Sequence, residues 1–496
     1  MSYDQGQSPR DYGGWRRRRG IGLFGLGAAG TLAVLGALLV LIIVAAADAR
    51  AMLYVAPPVL AGGGLGLARV GGEPLALAAL RRARWRYASS RDYTRYRVAV
   101  VAEQSPGCRL PGVLAPLALL DAEDGYGGRY GIVLDRRAGL MTATLRVIPA
   151  SPWLANRADA DTWVANWGGW LASLGYLPAL RWVTVTIDTA PEPGSTLADT
   201  VAAAIDPAAP LAARQIMGQL VEAAPSAAAD VDTRVSITFD PQASPSAPAG
   251  LTAAAAEVGR LLPGLESALG TCGVTVLGRA SPAEIAGVVR TAYDPAARGE
   301  VNRLLARARA GQADLSWAEA GPVGAEEEPG CYRHDSGISV TWAWSEAPRQ
   351  NVTADVLARL VAPGRYPKRV SLQYRPFGAA EATRVLEAEV SAAQFREVYR
   401  GRTGRDETAR DSYDQARARQ AAAEEAAGAG VCLISMYVTV TVATEAELPR
   451  AAAETEAAAE SSRIRLRRMT YSQAAGFAAT LPCGICPPEL ARRMPH

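Results

Sequence analysis

The residue types that most often carry chemistry are scarce in this sequence. Cys483 and Cys486 form a C-x-x-C motif between prolines, and Cys331 precedes His334, one of only two histidines, by three residues. A redox C-x-x-C opens a helix within a βαβ unit, and a Cys₄ zinc site needs a second cysteine pair. Here the motif follows a helical stretch in a Pro-rich tail. We therefore expect the motif to have a structural role and to form no metal site. The alternatives are half a metal site and a redox pair, and in either case Cys483 and Cys486 would be the residues involved. The Cys331–His334 spacing predicts a turn.

The sequence does not predict a nucleotide-binding site. A P-loop needs Gly-Lys-Ser/Thr because its lysine reaches the β- and γ-phosphates, and the only lysine, Lys368, lies in Pro367-Lys368-Arg369. Residues 20–25 match G-x-G-x-x-G, but they follow no strand, and this glycine spacing predicts close helix packing. No hydrolase, zinc-protease or kinase motif occurs. We expect no enzymatic activity and no cofactor.

Two apolar stretches near the N-terminus predict a transmembrane helical hairpin. The first, 21–47, has no charged residue, and the second, 51–68, is shorter and contains prolines. A bilayer core needs ~20 apolar residues in a helix. Basic and aromatic residues flank the hairpin and are expected at a membrane interface on the cytoplasmic side: Trp15, Arg16, Arg17, Arg18, Arg19, Arg81, Arg82, Arg84, Trp85 and Arg86. This pattern predicts a multi-pass protein of the bacterial inner membrane with a large cytoplasmic C-terminal region. A cleaved signal peptide and a single span with the large region outside are the alternatives.

The charge distribution places the positive charge beside the hairpin. Residues 1–95 carry a net charge of +8, which leaves −5 for residues 96–496. A nucleic-acid groove is usually basic, so we expect no direct sequence-specific nucleic-acid binding. The arginines are better suited to contact anionic membrane lipid.

Composition and periodicity predict a multidomain α+β chain. The expected segments are a disordered basic tail (1–20), the hairpin (21–68), a juxtamembrane amphipathic segment (69–95), a first α+β domain (96–312), an acidic linker (313–336), a second α+β domain (337–482) with a helical insertion (381–428), and a tail (483–496). The strands alternate polar and apolar residues, as in 234–239 and 338–344, which favours ferredoxin-like α+β units with helices on one face. A helix over 156–174 places Trp163, Trp167 and Trp170 on one face, which predicts packing in the core.

Two passages resemble conjugation-type (type IV) secretion proteins. Trp15–Arg19 with the glycine-rich start of the hairpin (20–27) resembles the PrgI-type small membrane subunits. The C-terminal passage 467–482 resembles the "Q-x-x-x-F-x-x-x-L-P" segment, here Gln473, Phe477, Leu481 and Pro482, that ends the non-catalytic N-terminal region of TrbE/CagE-type conjugation ATPases. Together with the Ala-, Arg- and Gly-rich composition, this looks like an actinobacterial conjugation membrane protein encoded with a separate ATPase.

The resemblance implies a non-enzymatic, inner-membrane structural subunit that anchors or docks that ATPase. Its expected partners are the secretion or conjugation ATPase, other membrane subunits, membrane lipid and further copies of itself. An EccE-like subunit of a type VII secretion system is the closest alternative. An unrecognised enzyme centred on Cys331 and His334 or on the C-x-x-C pair, and an extracytoplasmic binding protein, are the alternatives from other classes.

Overall fold

The computed structural model describes residues 28–47, 50, 54–59, 69–70, 73–98, 110–123, 128–151, 155–191, 201–202, 204–223, 229–312, 314–346, 348, 350–378, 380–387, 419–424 and 430–493. The described residues fall into two compact units. The larger, called the sheet unit, lies within Arg95–Ala382 and Gly428–His496, and the smaller, called the N-terminal unit, lies within Gly14–Thr94 and Thr383–Ala427.

The sheet unit is built on one antiparallel sheet of 13 strands. Its strands are β3 (Arg95–Arg97), β4 (Leu117–Glu123), β5 (Arg129–Asp135), β6 (Leu140–Pro149), β7 (Leu180–Pro191), β8 (Ala229–Phe239), β9 (Val274–Arg279), β10 (Gly324–Glu327), β11 (Tyr332–His334), β12 (Gly337–Glu346), β13 (Lys368–Pro376), β14 (Cys432–Val442) and β15 (Arg465–Arg468). The strand order is β3-β10-β11-β12-β14-β13-β7-β8-β6-β5-β4, with β15 paired to β12 and β9 paired to β6.

In the part of the chain that the structure describes, the following helices of the sheet unit connect or cover these strands. They are α3 (Arg157–Leu174), α4 (Leu211–Ala223), α5 (Leu251–Gly270), α6 (Pro282–Tyr293), α7 (Arg298–Arg309), α8 (Ala358–Val361), α9 (Leu448–Ser461), α10 (Gln473–Ala479) and α11 (Pro487–Arg493). The predicted helix 156–174 is confirmed as α3. Trp170 is 4% exposed in the core and stacks on Trp167 with a ring-centroid distance of 4.9 Å, which confirms the predicted packing of this face.

The sheet consists of two halves that repeat the same arrangement. The first half follows the chain order β6-α3-β7-β8-α5-β9, and its strands lie in the sheet in the order β9-β6-β8-β7. The second half follows the chain order β12-α8-β13-β14-α9-β15, and its strands lie in the sheet in the order β15-β12-β14-β13. This is the β-α-β-β-α-β order of ferredoxin-like motifs. The two halves meet at an antiparallel seam in which β7 pairs with β13 from Val183↔Tyr374 to Thr189↔Lys368. The seam therefore relates the halves by an approximate two-fold axis.

Hydrogen bonds and sequence follow the repeat outside the strands as well. The N–H of Ala280, just before α6, donates to the carbonyl of Thr144 at 2.8 Å, and the N–H of Met469, just before α10, donates to the carbonyl of Thr341 at 2.9 Å. Both helices then contain Ala-Gly, and a threonine lies four residues after the glycine, Thr291 within α6 and Thr480 directly after α10. In each half this helix and the one after it, α7 or α11, form the second covering layer.

The two faces of the sheet differ because side chains alternate along each strand. One face is apolar, with Val183, Ile237 and Val438 completely buried, and it packs against α3 and α5 in the first half and α8 and α9 in the second. The opposite face of the central strands is lined with threonine and serine, and α6, α7, α10 and the C-terminal residues lie on that side. The polar positions therefore face a second layer of the protein, whereas we had expected helices on one face only.

The N-terminal unit contains α1 (Ala28–Ala47), a two-stranded ladder of β1 (Arg69–Val70) with β2 (Glu73–Pro74), and α2 (Leu75–Ser90). Residues 54–59, 383–387 and 419–424 of this unit are also helical, the last two within the predicted helical insertion 381–428. On α1, Leu38, Leu39, Ile42 and Ile43 are each 55–58% exposed.

The predicted transmembrane hairpin (21–68) is corrected by this structure. Among the described residues, none of the helices combines the length and the apolar character that crossing a membrane requires. Of the predicted second span, 51–68, residues 54–59 are described, and they are helical. The prediction of a multi-pass inner-membrane protein is corrected with it.

The predicted fold class is also corrected in its domain arrangement. We expected separate ferredoxin-like domains joined by a linker at 313–336, but this segment contains strands β10 and β11 of the sheet. Because β7 pairs directly with β13, the two halves share one large antiparallel sheet. The acidic composition of 324–328 had suggested a solvated connection, yet Ala325, Tyr332 and His334 are buried.

Candidate functional site on the hydroxyl face

Paired hydroxyl groups line the polar face of the sheet on both sides of the seam. In the first half, the hydroxyl oxygens of Thr142 and Thr238 lie 2.9 Å apart, as do those of Thr144 and Ser236. In the second half, the distance is 2.8 Å between Ser339 and Thr441 and 2.9 Å between Thr341 and Thr439. At the seam, the hydroxyl oxygens of Thr186 and Ser371 lie 2.7 Å apart. All ten residues are buried. Because a hydroxyl both donates and accepts, each pair gives both of its buried hydroxyls a hydrogen-bond partner on the neighbouring strand. We call this surface the hydroxyl face.

A cluster of charged residues lies at the edge of the hydroxyl face. Arg234 donates to Asp188 at 2.8 Å and to Asp232 at 2.6 Å, and Arg298 lies 3.7 Å from the second oxygen of Asp188. Burial acts to raise the pKa of Asp188, but Arg234, Arg298 and Arg369 together lower it. The carboxylate is therefore ionised at neutral pH and serves as the counter-ion of buried arginines.

Arg369 of β13 is the most poorly compensated charge of this cluster. Its Nε donates to the Thr480 hydroxyl at 3.2 Å, its guanidinium lies 4.8 Å from the Phe477 ring centroid, and its buried Nη2 has no hydrogen-bond partner among the described residues. Burial lowers the pKa of Arg369 to about 10. The side chain stays charged at neutral pH, held by an aromatic face and by the nearby Asp188.

The C-terminal residues cover the hydroxyl face across the seam. Gln373 of β13 donates to the carbonyl of Ile485 at 2.7 Å. Gly484 has φ +66°, and a Cβ at this position would overlap the hydroxyl of Thr142 in the first half. The segment thus contacts both halves, which predicts that only glycine fits at its closest approach.

The C-x-x-C cysteines belong to this covering segment. Cys483 and Cys486 are 2% and 6% exposed, and neither forms a disulfide. Burial raises the pKa of Cys483 to about 12 and that of Cys486 to about 11. Thiols that remain protonated are poor nucleophiles and poor metal ligands. Within the described ranges, no group of three or more His, Cys, Asp or Glu side chains could hold a metal ion.

Cys331 and His334 have different partners, so the structure does not bring them together as a dyad. The Cys331 thiol donates to Glu328 at 3.2 Å. His334 Nδ1 lies 2.6 Å from the carbonyl of Tyr293, which can only accept, and Nε2 therefore accepts from the Ser339 hydroxyl at 2.8 Å. This tautomer would suit a general base, but Ser339 is completely buried and also bonds to Thr441. Both ring nitrogens of His334 therefore have hydrogen-bond partners inside the core, as expected for a structural histidine.

A groove of about 570 Å³ lies at the β3 edge of the sheet. Its lining includes Arg95, Arg97, Glu326, Arg333 and Asp335. Most of these charges are used internally: Arg95 pairs with Glu326 at 2.8 Å, and Asp335 accepts from Arg290 at 3.1 Å and from the N–H of Val323 at 2.8 Å. The groove therefore presents mostly paired charges of both signs.

The predicted interface residues lie partly in α2 of the N-terminal unit. Arg82, Arg84 and Arg86 are exposed there, whereas Arg81 and Trp85 are half-buried. Trp15 and Arg16, Arg17, Arg18 and Arg19 lie outside the described residues. The α2 residues thus form a basic surface, and none of them lies in the sheet unit.

Sequence reasoning missed the hydroxyl face although a signal for it was present. The central strands carry T-x-T or S-x-T patterns at residues 142–144, 184–186, 236–238, 339–341 and 439–441. Consecutive same-face hydroxyl positions on five strands predict cross-strand hydroxyl pairs when the strands are neighbours. No protein-family model matches the sequence, and no curated protein matches it.

Proposed function

We propose that this chain is a non-enzymatic structural subunit of a conjugation-type secretion apparatus and that it docks a separate P-loop ATPase. The observation that carries the proposal is the role of the passage that resembles the conjugation ATPases. Gln473 bridges the backbone of Thr341 through both its amide atoms, at 2.7 and 3.3 Å, and Phe477 is fully buried against Tyr293 and Tyr332. The side chains of Gln473 and Phe477 are thus used in internal contacts of the fold and are not available for catalysis. A resemblance at these positions is therefore a resemblance in architecture.

The state of the reactive groups supports a binding role over a catalytic one. The described thiols of the C-x-x-C pair are buried and protonated, His334 is held by two hydrogen bonds, and the hydroxyls of the polar face bond to one another. A catalytic site needs a nucleophile, a base and access for a substrate. The resemblance supplies the class of partner, a P-loop ATPase, which this chain's own sequence does not encode.

Affinity purification tests the proposal. The tagged full-length chain is purified from its native host under mild conditions, and the associated proteins are identified by mass spectrometry. We expect a P-loop ATPase in stoichiometric or near-stoichiometric amount. The purified chain alone should neither bind nor hydrolyse ATP. Repeated purification without any P-loop ATPase, or ATP hydrolysis by the chain itself, would overturn the proposal.

A further inference from the structure

A cavity of about 410 Å³ lies between α6, α7 and strand β3 of the sheet unit. Its volume falls within the roughly 300–1,000 Å³ of small-molecule sites. The end of α6, the start of α7, the turn at 317–319 and residues 321–323 line it together with β3. Its apolar lining includes Val98, Val301, Leu304, Leu315, Pro322 and Val323. We call this cavity the α6–α7 pocket.

The walls of the α6–α7 pocket are held by contacts within the protein. Near the end of α6, Arg290 Nη1 donates to the carbonyl of Gly321 at 3.0 Å. The N–H of Val98, just after β3, donates to the carbonyl of Val323 at 2.9 Å. Leu315 is 6% exposed and belongs to the core cluster that also contains residues of α6 and α7. The pocket is therefore pre-formed, as small-molecule sites usually are.

The charged side chains around the pocket leave an excess of negative charge. Arg290 is the only basic residue in the described part of its lining. Asp294 and Asp335 compensate that charge, since Arg290 pairs with them at 2.8 and 3.1 Å. Glu300 and Glu319, both exposed, also line the pocket, and in the part of the chain that the structure describes neither of them forms an ion pair. Two carboxylates at an apolar cavity favour a ligand that is both cationic and apolar.

We propose that the α6–α7 pocket binds an aliphatic amine, a ligand with an apolar stem and an ammonium group. The stem covers the apolar lining, and the ammonium group lies beside Glu300 and Glu319. An anion would be repelled by these carboxylates, and a neutral apolar ligand would reduce their hydration without supplying a counter-ion. The positive charge therefore separates the amine from other ligands of similar size and shape. This site is independent of the proposed docking of an ATPase.

Isothermal titration calorimetry of the purified full-length chain tests the site with n-hexylammonium chloride as the probe. Ammonium chloride supplies the charge without the stem, and 1-hexanol supplies the stem without the charge. We expect saturable binding of n-hexylammonium with a Kd of about 1 mM or tighter. Each control should bind at least about tenfold more weakly, because it makes only one of the two kinds of contact. Equal binding of either control, or no saturable binding of n-hexylammonium, would overturn the proposal.

Conservative variants locate the binding in this pocket. Glu300→Gln combined with Glu319→Gln removes both charges and keeps the size of the side chains. Glutamine can also serve in the capping box that Glu319 forms with Ser316, so we expect the fold to persist. The double variant should weaken the binding of n-hexylammonium about tenfold. Glu460→Gln, at an exposed position on α9, should leave the affinity unchanged.

The urea midpoints of the variants separate a loss of binding from a loss of folding. The side chain of Glu300 is exposed and has no hydrogen bond or ion pair with other described residues. Glu300→Gln alone should therefore shift the midpoint little and weaken binding about threefold. This single variant decides the question if the double variant is less stable than the native chain. An affinity for n-hexylammonium that stays native in Glu300→Gln would place the amine elsewhere and overturn the proposal.

Discussion

Protonation of His334 should set the stability of the sheet unit in mildly acidic solution. His334 is 3% exposed and lies between the rings of Tyr293, Tyr332 and Phe477. Burial, together with the positive charge of Arg369, lowers its pKa to about 4, against the opposing effects of the Tyr293 carbonyl and Asp294. The unfolded chain has an ordinary histidine pKa of ~6.5. The unfolded state therefore binds the proton more tightly than the folded state.

The sign and size of the effect follow from this difference. Above pH ~6.5 the histidine is neutral in both states, and its contribution to stability is fully present. As the pH falls below ~6.5, His334 becomes protonated in the unfolded state but stays neutral in the folded state. The free energy of unfolding therefore decreases until the pH reaches ~4, where the folded state is protonated as well. The full difference corresponds to about 3 kcal/mol, of which about 2 kcal/mol is lost between pH ~7 and pH ~5.

Urea unfolding of the native chain and of His334→Gln at pH ~7 and pH ~5 measures the effect. The variant loses stability at neutral pH because buried partners of the imidazole are left unpaired, at a cost of about 1–3 kcal/mol. Its further loss on acidification should be smaller than that of the native chain by about 2 kcal/mol. Equal losses in the two proteins would refute the reasoning and would mean that His334 titrates normally in the folded state. The other histidine, His496, lies outside the described residues.

Three further predictions concern the hydroxyl face and its cover. Gly484→Ala should lower the free energy of unfolding by about 3 kcal/mol, because the positive φ disfavours a side chain and the new methyl group would overlap Thr142. Thr144→Val and Ser236→Ala should each cost about 1–3 kcal/mol by leaving a buried hydroxyl unpaired, and the double variant should cost less than their sum. Cys483 should resist iodoacetamide in the native chain at neutral pH and react after unfolding, because it is buried with a pKa raised to about 12; peptide mass spectrometry measures the modification.

The first two of these predictions have internal controls. Gly364 has open space around its Cβ position and no positive φ, so Gly364→Ala should change stability by no more than ~0.5 kcal/mol. The equivalent pair of the second half, Thr341 and Thr439, should show the same sign of coupling as the first pair if the halves repeat in energy as well as in geometry. Additive losses in both pairs, a harmless Gly484→Ala, or rapid native labelling of Cys483 would each contradict the account of the buried polar face.

Local patterns predicted individual elements well. The helix with three tryptophans was expected over 156–174 and runs from Arg157 to Leu174, and the strand expected over 432–444 runs from Cys432 to Val442. In both cases the period of the apolar residues is set by one packed face, and the sequence alone contains that information.

The arrangement of these elements was harder to predict because it depends on partners distant in sequence. An alternating strand usually has one face in water, but here the polar positions meet other polar positions, such as Thr186 with Ser371 across the seam. The strands β10 and β11 were hidden for a similar reason. They are short and contain Glu326 and Arg333, whose charges are balanced by Arg95 and by Glu328 and Glu445. The candidate site was hard to predict for the same reason. The sequence shows the cysteines and His334, but it does not show that they are buried.

The seam between β7 and β13 also determines how the protein can move. Seven consecutive residue pairs join the halves, from Val183↔Tyr374 to Thr189↔Lys368. A slip of one residue would turn every side chain of a strand to the wrong face. The two halves therefore cannot open or close about a hinge as two-domain proteins do, and in mechanical terms the sheet unit acts as a single plate. A conformational signal from a bound partner would have to pass through the connections that leave the sheet, such as the β7–β8 connection, in which residues 211–220 of α4 are exposed.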